Sequence, residues 1–296
     1  MVQWRGRRQS SNVEDRRGRP AAKRGVRLPG KLSGVGIVII VGIILLGGDP
    51  SQFLGLLLGG PESASLPRSQ PTSQPAAIPA GDEAAQFVSV VLADTEDTWR
   101  ALFAESGMTY REPQLVLFSD SVQSACGFNT AATGPFYCPP DQKVYLDLGF
   151  FDELRKLGAP GDFAQAYVIG HEVAHHVQNL QGRFESLRKA QARASKADGN
   201  ALQVLAELQA DCYAGVWAHH AEAQRDLLES GDVEEGLRAA ASIGDDRLQQ
   251  RAGRQIQPES FTHGSSAQRV EWFKTGLTTG DPGACNTFDA AGAGAH

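Results

Sequence analysis

The sequence lacks a C-x-x-C pair, and its four cysteines, Cys126, Cys138, Cys212 and Cys285, are widely separated. Because zinc sites made of thiolates usually rely on such pairs, a zinc ion held by cysteine is disfavoured. Positive charge is scarce after residue 31: the first 31 residues carry a net charge of +8 and the remainder −14. A main part this acidic argues against a nucleic-acid-binding protein.

The 296 residues are 41% hydrophobic and 21% charged, enough for one globular domain with appendages. After the basic segment 1–31 comes LSGVGIVIIVGIILLGG, residues 32–48, which carries no charge and is just long enough to span a bilayer. Lysines and arginines directly before it fit the positive-inside rule. We expect a single-pass protein of the cell membrane, with a cytoplasmic N-terminus and an extracytoplasmic domain; a buried core segment and a cleaved signal peptide are the alternatives.

Residues 49–81 are rich in proline and serine and read as an extended linker, followed by a folded domain at 82–288 and a small-residue tail at 289–296. Four cysteines allow three pairings, and disulfides persist outside the cytoplasm. The stretch between Cys126 and Cys138 has the composition of a surface loop, which favours that pair and leaves Cys212 with Cys285.

Apolar residues recur at helical spacing from about residue 83 to 106, and short β-rich stretches at 114–120 and 143–151 read as strands. A helix is predicted from Asp162, as its N-cap, to a stop at Gly182. Further helices are expected at about 199–222 and 233–252, and one that starts near Ser265.

The predicted helix after Asp162 carries the motif His171-Glu172-Val173-Ala174-His175. Residues four apart on a helix lie about 40° apart around its axis, so both imidazoles can bind one zinc ion. Glu172 is near enough to act as general base toward a zinc-activated water. The motif therefore predicts Zn²⁺ ligation by His171 and His175, with catalysis by Glu172.

A third ligand is needed, and the metzincin pattern is excluded because Gln178 and Gln181 stand where it requires Gly and His. A glutamate from a later helix is the other solution, with an acid four residues on that orients a ligating histidine. Glu207 and Asp211 supply that pair on a helix that reads as packed. We predict Glu207 as the third ligand and Asp211 as the orienting carboxylate.

Six blocks resemble the bacterial putative neutral zinc metallopeptidase family: DTEDTW, SACG, GPFYCPPDQKVYLDL, AYVIGHEVAHHVQ, ELQADCYAGVW and FTHGSSAQRVEWF, in order over residues 87–288. The resemblance implies a zinc-dependent, gluzincin-like peptidase domain behind an N-terminal membrane segment. The expected fold is α+β: a mainly helical, zincin-like metallopeptidase domain with a small sheet, preceded by one transmembrane helix.

His263 lies in a glycine-containing loop and is a candidate catalytic residue that would stabilise the oxyanion, with Tyr137 and Tyr145 as weaker candidates. His176 is interpreted as a packed histidine, not a ligand. Residues 143–148 are a candidate edge strand for an extended peptide.

The sequence thus predicts a membrane-anchored zinc metallopeptidase, an endopeptidase acting on peptide or protein substrates. The alternatives are a non-hydrolytic zinc protein that binds envelope peptides, or hydrolysis of another amide. Neither the cleavage preference nor the oligomeric state can be predicted from these residues.

Overall fold

The fold is mainly helical with a small sheet, as predicted, in a computed structural model that describes residues 1–18, 78–79 and 81–290. The strands are β1 (Val13–Asp15), β2 (Gln114–Phe118), β3 (Ser121–Ser124), β4 (Gly127–Thr130), β5 (Phe136–Cys138) and β6 (Lys143–Asp147). The helices are α1 (Glu83–Glu105), α2 (Phe150–Lys156), α3 (Asp162–Leu180), α4 (Arg183–Gln191), α5 (Lys196–Arg225), α6 (Asp232–Ser242), α7 (Asp245–Arg251), α8 (Ser266–Thr279) and α9 (Thr287–Ala290).

The four-stranded sheet has the order β1-β2-β6-β5, with β1, β2 and β6 parallel and β5 antiparallel to β6. Strands β3 and β4 form a separate hairpin. Strand β6 therefore lies inside the sheet: its residues 143–145 pair with both β2 and β5, so the expected free edge is wrong for them, whereas 146–147 pair with β2 alone. The free edge on that side belongs to β5, whose three residues are too few to be read as a strand from their pattern.

Helix α3 packs against α1, α5 and α6, and α5 packs along α8. The contact between α5 and α8 is very close, because a Cβ on Gly276 would lie 1.9 Å from the Cys212 carbonyl oxygen and one on Gly215 would lie 2.2 Å from that of Phe273. A side chain at either position would push the helices apart. The two glycines thus let α8 lie directly against the helix that carries Glu207 and Asp211.

Three long helices begin at the capping signals that their sequences carry. Asp82 accepts a hydrogen bond from the Ala85 amide at the start of α1, and Ser195 accepts one from Asp198 at the start of α5. Ser265 and Gln268 form a capping box at the start of α8.

Three helices, α2, α4 and α9, were not predicted, and the helix expected at 233–252 is two helices, α6 and α7. The break falls at Gly244, whose backbone is extended and packs against Ser266: a Cβ there would lie 2.4 Å from the Ser266 amide nitrogen. The corner thus follows from a contact with α8, which the local spacing of apolar residues does not reveal.

The basic N-terminal residues are part of this fold. Strand β1 pairs with β2, and the Val2 amide donates to Asp162 at the start of α3. Arg8 bonds the buried Glu96 carboxylate at 3.0 Å, and Arg5 bonds Glu83 at 3.1 Å. These arginines are therefore ion-paired with acidic side chains of α1, whereas the basic residues directly before residue 32 lie outside the described residues.

The transmembrane helix and the single-pass placement at the cell membrane are consequently wrong. None of the helices in the described ranges is long and apolar enough to cross a membrane. Residues 32–48 lie outside those ranges, as do most of the predicted linker and the last six residues. Residues 1–18 and 81–290 belong to one folded unit. One crossing between them would put them on opposite sides of a membrane, so a cytoplasmic N-terminus with an extracytoplasmic domain contradicts the fold.

Candidate metal centre

The buried helix α3 carries His171, Glu172 and His175 in its second half. It lies close to α5, because Gly170 has no side chain: a Cβ there would be 2.7 Å from the Trp217 ring. This close approach brings the two imidazoles to Glu207 on α5.

The ligand atoms of His171, His175 and Glu207 all lie within 4.8 Å of one another. Glu207 Oε2 is 3.2 Å from His171 Nε2 and 3.5 Å from His175 Nε2. Ligands bonded to zinc at about 2.0–2.1 Å in a tetrahedron are roughly 3.3 Å apart. The three predicted ligands are thus brought together at separations that suit one zinc ion.

The other ring nitrogen of His171 contacts an ionic cluster. Its Nδ1 lies 2.9 Å from Asp211 Oδ1, and a carboxylate can only accept, so the ring donates from Nδ1 and keeps the Nε2 lone pair for a metal. Arg269 donates to both oxygens of Asp211, from Nε at 2.8 Å and Nη2 at 2.9 Å. Tyr167 donates its hydroxyl to the same carboxylate. Asp211 therefore has the orienting position expected of it, within a buried network.

His175 and Glu207 are oriented by amide side chains. His175 Nδ1 lies 2.9 Å from Gln178 Oε1, again leaving Nε2 for a metal. Gln203 Nε2 donates to Glu207 Oε1 at 2.9 Å, so the other carboxylate oxygen is the one that faces the histidines. Each predicted ligand thus has one atom held by a neighbour and one directed at the shared point.

The electrostatics of the site favour positive charge at that point. Burial lowers the pKa of His171, but the Asp211 and Glu207 carboxylates outweigh it and raise the pKa to about 9. Burial alone would raise the pKa of Glu207, because the charged form of a carboxylate is disfavoured there, but His175 and His171 hold that pKa well below its ordinary value. Two imidazole lone pairs and one carboxylate oxygen repel one another unless a cation lies between them. This donor set fits Zn²⁺, which prefers nitrogen and oxygen ligands of this kind.

Glu172 is buried at 8% exposure and lines a cleft of about 1100 Å³ beside the three ligands. Within the described part of the chain its carboxylate receives no hydrogen bond. Burial raises its pKa, and the nearby His175 and His171 only partly offset that effect. A carboxylate that is available and has a raised pKa is suited to take a proton.

His263 also lines the cleft, with half of its side chain exposed. Its Nδ1 lies 3.1 Å from the Thr262 hydroxyl and 3.3 Å from Asp245 Oδ1. If Thr262 donates to Nδ1, the ring proton is on Nε2. Tyr137 lines the cleft as well, but its hydroxyl is 3.0 Å from His176 Nδ1. His176 Nε2 must donate to the Arg111 carbonyl 2.6 Å away, so Nδ1 accepts from Tyr137 and that hydroxyl proton is already used.

Tyr145 packs with Val116, Phe118, Val122 and Cys138 and donates its hydroxyl to Asp141. It is not among the residues that line the cleft. His176 joins α3 to Tyr137 and is not grouped with the ligand atoms of His171, His175 and Glu207, in line with its interpretation as a packed residue. Burial lowers the pKa of His176 to about 4.

The four cysteines are bonded as Cys126–Cys138 and Cys212–Cys285, the pairing that their positions favoured. The first bond closes the loop whose later residues, through Tyr137, line the cleft. The second is fully buried and fastens the segment after α8 to α5.

Sequence reasoning missed Arg269, Tyr167, Gln178 and Gln203. Tyr167 and Gln178 lie four residues before His171 and three residues after His175, so helical spacing alone could have placed them beside the ligands. Arg269 lies within the conspicuous block FTHGSSAQRVEWF, but its partner Asp211 is 58 residues away. Nothing local connects the two.

Comparisons with known proteins identify a family and relatives of this chain. A family model described as "Putative neutral zinc metallopeptidase" matches residues 2–288. The uncharacterized protein YpfJ of Escherichia coli (strain K12) is 49% identical over 293 residues, covering 97% of this chain and 99% of YpfJ. The uncharacterized protein Rv2575 of Mycobacterium tuberculosis (strain ATCC 25618 / H37Rv) is 42% identical over 225 residues, covering 72% and 75% of the two chains. No solved structure matches.

Proposed function

This chain belongs to the putative neutral zinc metallopeptidase family, and from that membership we propose that it hydrolyses peptide bonds with one zinc ion held by His171, His175 and Glu207. The observation that carries the proposal is the convergence of these three side chains at the wall of a cleft that Glu172 also lines. Peptide or protein is the proposed substrate class, because the cleft is large enough for several residues of an extended chain.

Bound at this point, zinc would polarise a carbonyl group and lower the pKa of a coordinated water to about 7. Glu172 would accept the proton of the attacking water and later pass it to the leaving amine. Its burial and raised pKa favour both halves of that transfer.

His263 would donate from Nε2 to the oxyanion that develops on the substrate carbonyl. Two observations support this role: the imidazole lines the cleft, and the Thr262 hydroxyl lies 3.1 Å from Nδ1, where it can donate and leave the ring proton on Nε2. Tyr137 is the weaker candidate, because its hydroxyl proton is donated to His176.

The test is to measure zinc content and hydrolysis of a peptide library in parallel for the wild-type full chain, Glu172→Gln and Glu207→Ala. We expect about one zinc per wild-type chain. Glu172→Gln should keep the metal and lose hydrolysis by roughly 10²- to 10⁴-fold, the usual contribution of a general base. Glu207→Ala should lose both.

Equal hydrolysis by Glu172→Gln would overturn the assigned base. A wild-type chain that holds zinc but cleaves no library member would instead favour a zinc-containing peptide-binding protein. The full chain is used because residues 2–15 are part of the fold, so a fragment that starts near residue 82 would leave Glu96 buried without Arg8, Ser10 and Asn12.

A further inference from the structure

A chain of neutral side chains leads from His175 to the segment that follows α8. His175 Nδ1 lies 2.9 Å from Gln178 Oε1, and Gln178 Nε2 donates to Gln209 Oε1 at 3.1 Å. Gln209 Nε2 in turn donates to the backbone carbonyl of Cys285 at 2.9 Å. Gln178, Gln209 and Cys285 are at most 1% exposed, so water does not compete for these bonds.

The Cys285 carbonyl determines the direction of every hydrogen bond in this series. A carbonyl only accepts, so Gln209 must present its NH₂ group to Cys285 and its oxygen to Gln178. Gln178 then presents its NH₂ group to Gln209 and also to the Ala206 carbonyl, 2.8 Å away. Its oxygen is left for His175, which must carry its proton on Nδ1 and direct the Nε2 lone pair to the metal point.

The far end is itself firmly held. The disulfide with Cys212 ties Cys285 to α5, the helix that carries Gln209 and Glu207. Thr287 donates its hydroxyl to the Leu205 carbonyl at 2.7 Å, a second attachment to the same helix. The Cys285 carbonyl therefore cannot move without breaking a covalent bond or a buried hydrogen bond.

We propose that Gln209 and the disulfide-anchored Cys285 carbonyl are positioning groups that set the tautomer and orientation of His175, so that zinc affinity depends on the Cys212–Cys285 bond. This inference rests on the proposed zinc site. It assigns the buried disulfide a role beyond stability, and it makes the C-terminal segment part of the metal centre although that segment touches no ligand.

The first test replaces Gln209 in the full chain by Met, which has a similar volume but neither donates nor accepts, and by Glu, which cannot donate to Cys285. Zinc dissociation constants are measured by competition with a chelator, and the Co²⁺-substituted proteins are compared by visible absorption, which reports ligand geometry. Loss of such supporting contacts typically weakens metal binding about 10- to 100-fold. Gln181→Met is the matched control. It removes the hydrogen bond that Tyr213 donates to Gln181 at the end of α3, outside the series of bonds from His175 to Cys285, and should leave the zinc affinity unchanged.

The second test compares the two disulfides. Cys212→Ser/Cys285→Ser should weaken zinc binding by roughly 10-fold, whereas Cys126→Ser/Cys138→Ser should leave it unchanged. A ¹⁵N spectrum of the zinc-free wild type, at a pH where the ring is neutral, should show the His175 proton on Nδ1, with no metal present to fix the tautomer. This last measurement needs no substitution, so it decides the question even if a variant does not fold.

Wild-type zinc affinity in Gln209→Met, or a proton on Nε2 of His175 in the zinc-free protein, overturns the positioning role of Gln209 and Cys285 while the proposed function stands. A wild-type chain that binds no zinc overturns both.

Discussion

The two histidines of the metal centre are oriented by opposite kinds of chemistry. His171 faces a charged cluster, in which the fully buried Asp211 is shared with Arg269. His175 contacts the amide of Gln178, which in turn donates to the amide of Gln209, and neither amide carries a formal charge. Both arrangements leave Nε2 for the metal, but the first depends on charges that must balance in a dry interior and the second on a fixed carbonyl at its end. The same ligand orientation is thus reached with buried charges at one histidine and without them at the other.

The largest effect is expected from breaking the charged side with Asp211→Ala. Arg269, 2% exposed, would be left without its carboxylate partner. Removing one partner of a buried pair costs about 3–5 kcal/mol in the free energy of unfolding. Zinc affinity should fall by about 100-fold, because His171 also loses its orienting acceptor. Urea unfolding with chelator present and zinc competition measure the two effects.

The double variant Asp211→Ala/Arg269→Met separates these causes. It should recover part of the lost stability, since no unpaired charge remains, but none of the zinc affinity. If the double variant is as unstable as Asp211→Ala, the unpaired guanidinium is not the source of the loss.

A medium effect should appear as a pH dependence that comes mainly from the charged side, although Glu207 also raises the pKa of His175 against the effect of burial. The pKa of His171 is raised to about 9 from an ordinary 6.5, chiefly by Asp211 acting against burial. In chelator, this group contributes stability that is fully present below pH 6.5 and is lost as the pH rises toward 9. Urea midpoints across that range should fall in wild type and fall less in Asp211→Asn; identical slopes would contradict the assignment.

The smallest effect is expected on the neutral side, from Gln178→Met. The buried Ala206 carbonyl would lose a donor, which costs about 1–3 kcal/mol. Zinc affinity should fall by roughly 10-fold. Unlike Asp211→Asn, this variant should keep the wild-type pH slope between 6.5 and 9. A flattened slope would show that the two sides are not independent.

The sequence could place the candidate site residues because each pair lies about one helical turn apart: His171 with His175 on α3, and Glu207 with Asp211 on α5. Spacing within a helix follows from its geometry, so no tertiary information is required. That the two helices meet at this point is a tertiary contact, which depends on Gly170 lying against Trp217. Arg269 and Gln209 could not be assigned for the same reason, since their partners come from distant segments.

The membrane-anchor prediction for the N-terminal region failed for a different physical reason. An uncharged run preceded by arginines matches a membrane anchor only if those arginines are free in solution. Here Arg8 joins Ser10 and Asn12 in surrounding the buried Glu96. Part of the basic cluster is thus ion-paired within the fold, since Arg8 bonds an acid 88 residues away.

The placement of residues 2–15 also bears on the order in which the molecule is assembled. The Val2 amide bonds Asp162, 160 residues away, and the Gln3 amide bonds the Leu227 carbonyl. A ribosome delivers the N-terminal segment first, yet its binding surface is complete only after the end of α5 has been synthesised. Contacts so distant along the chain form late and slow folding. Residues 2 and 3 are therefore placed only after synthesis has reached residue 227, although they are made before β1.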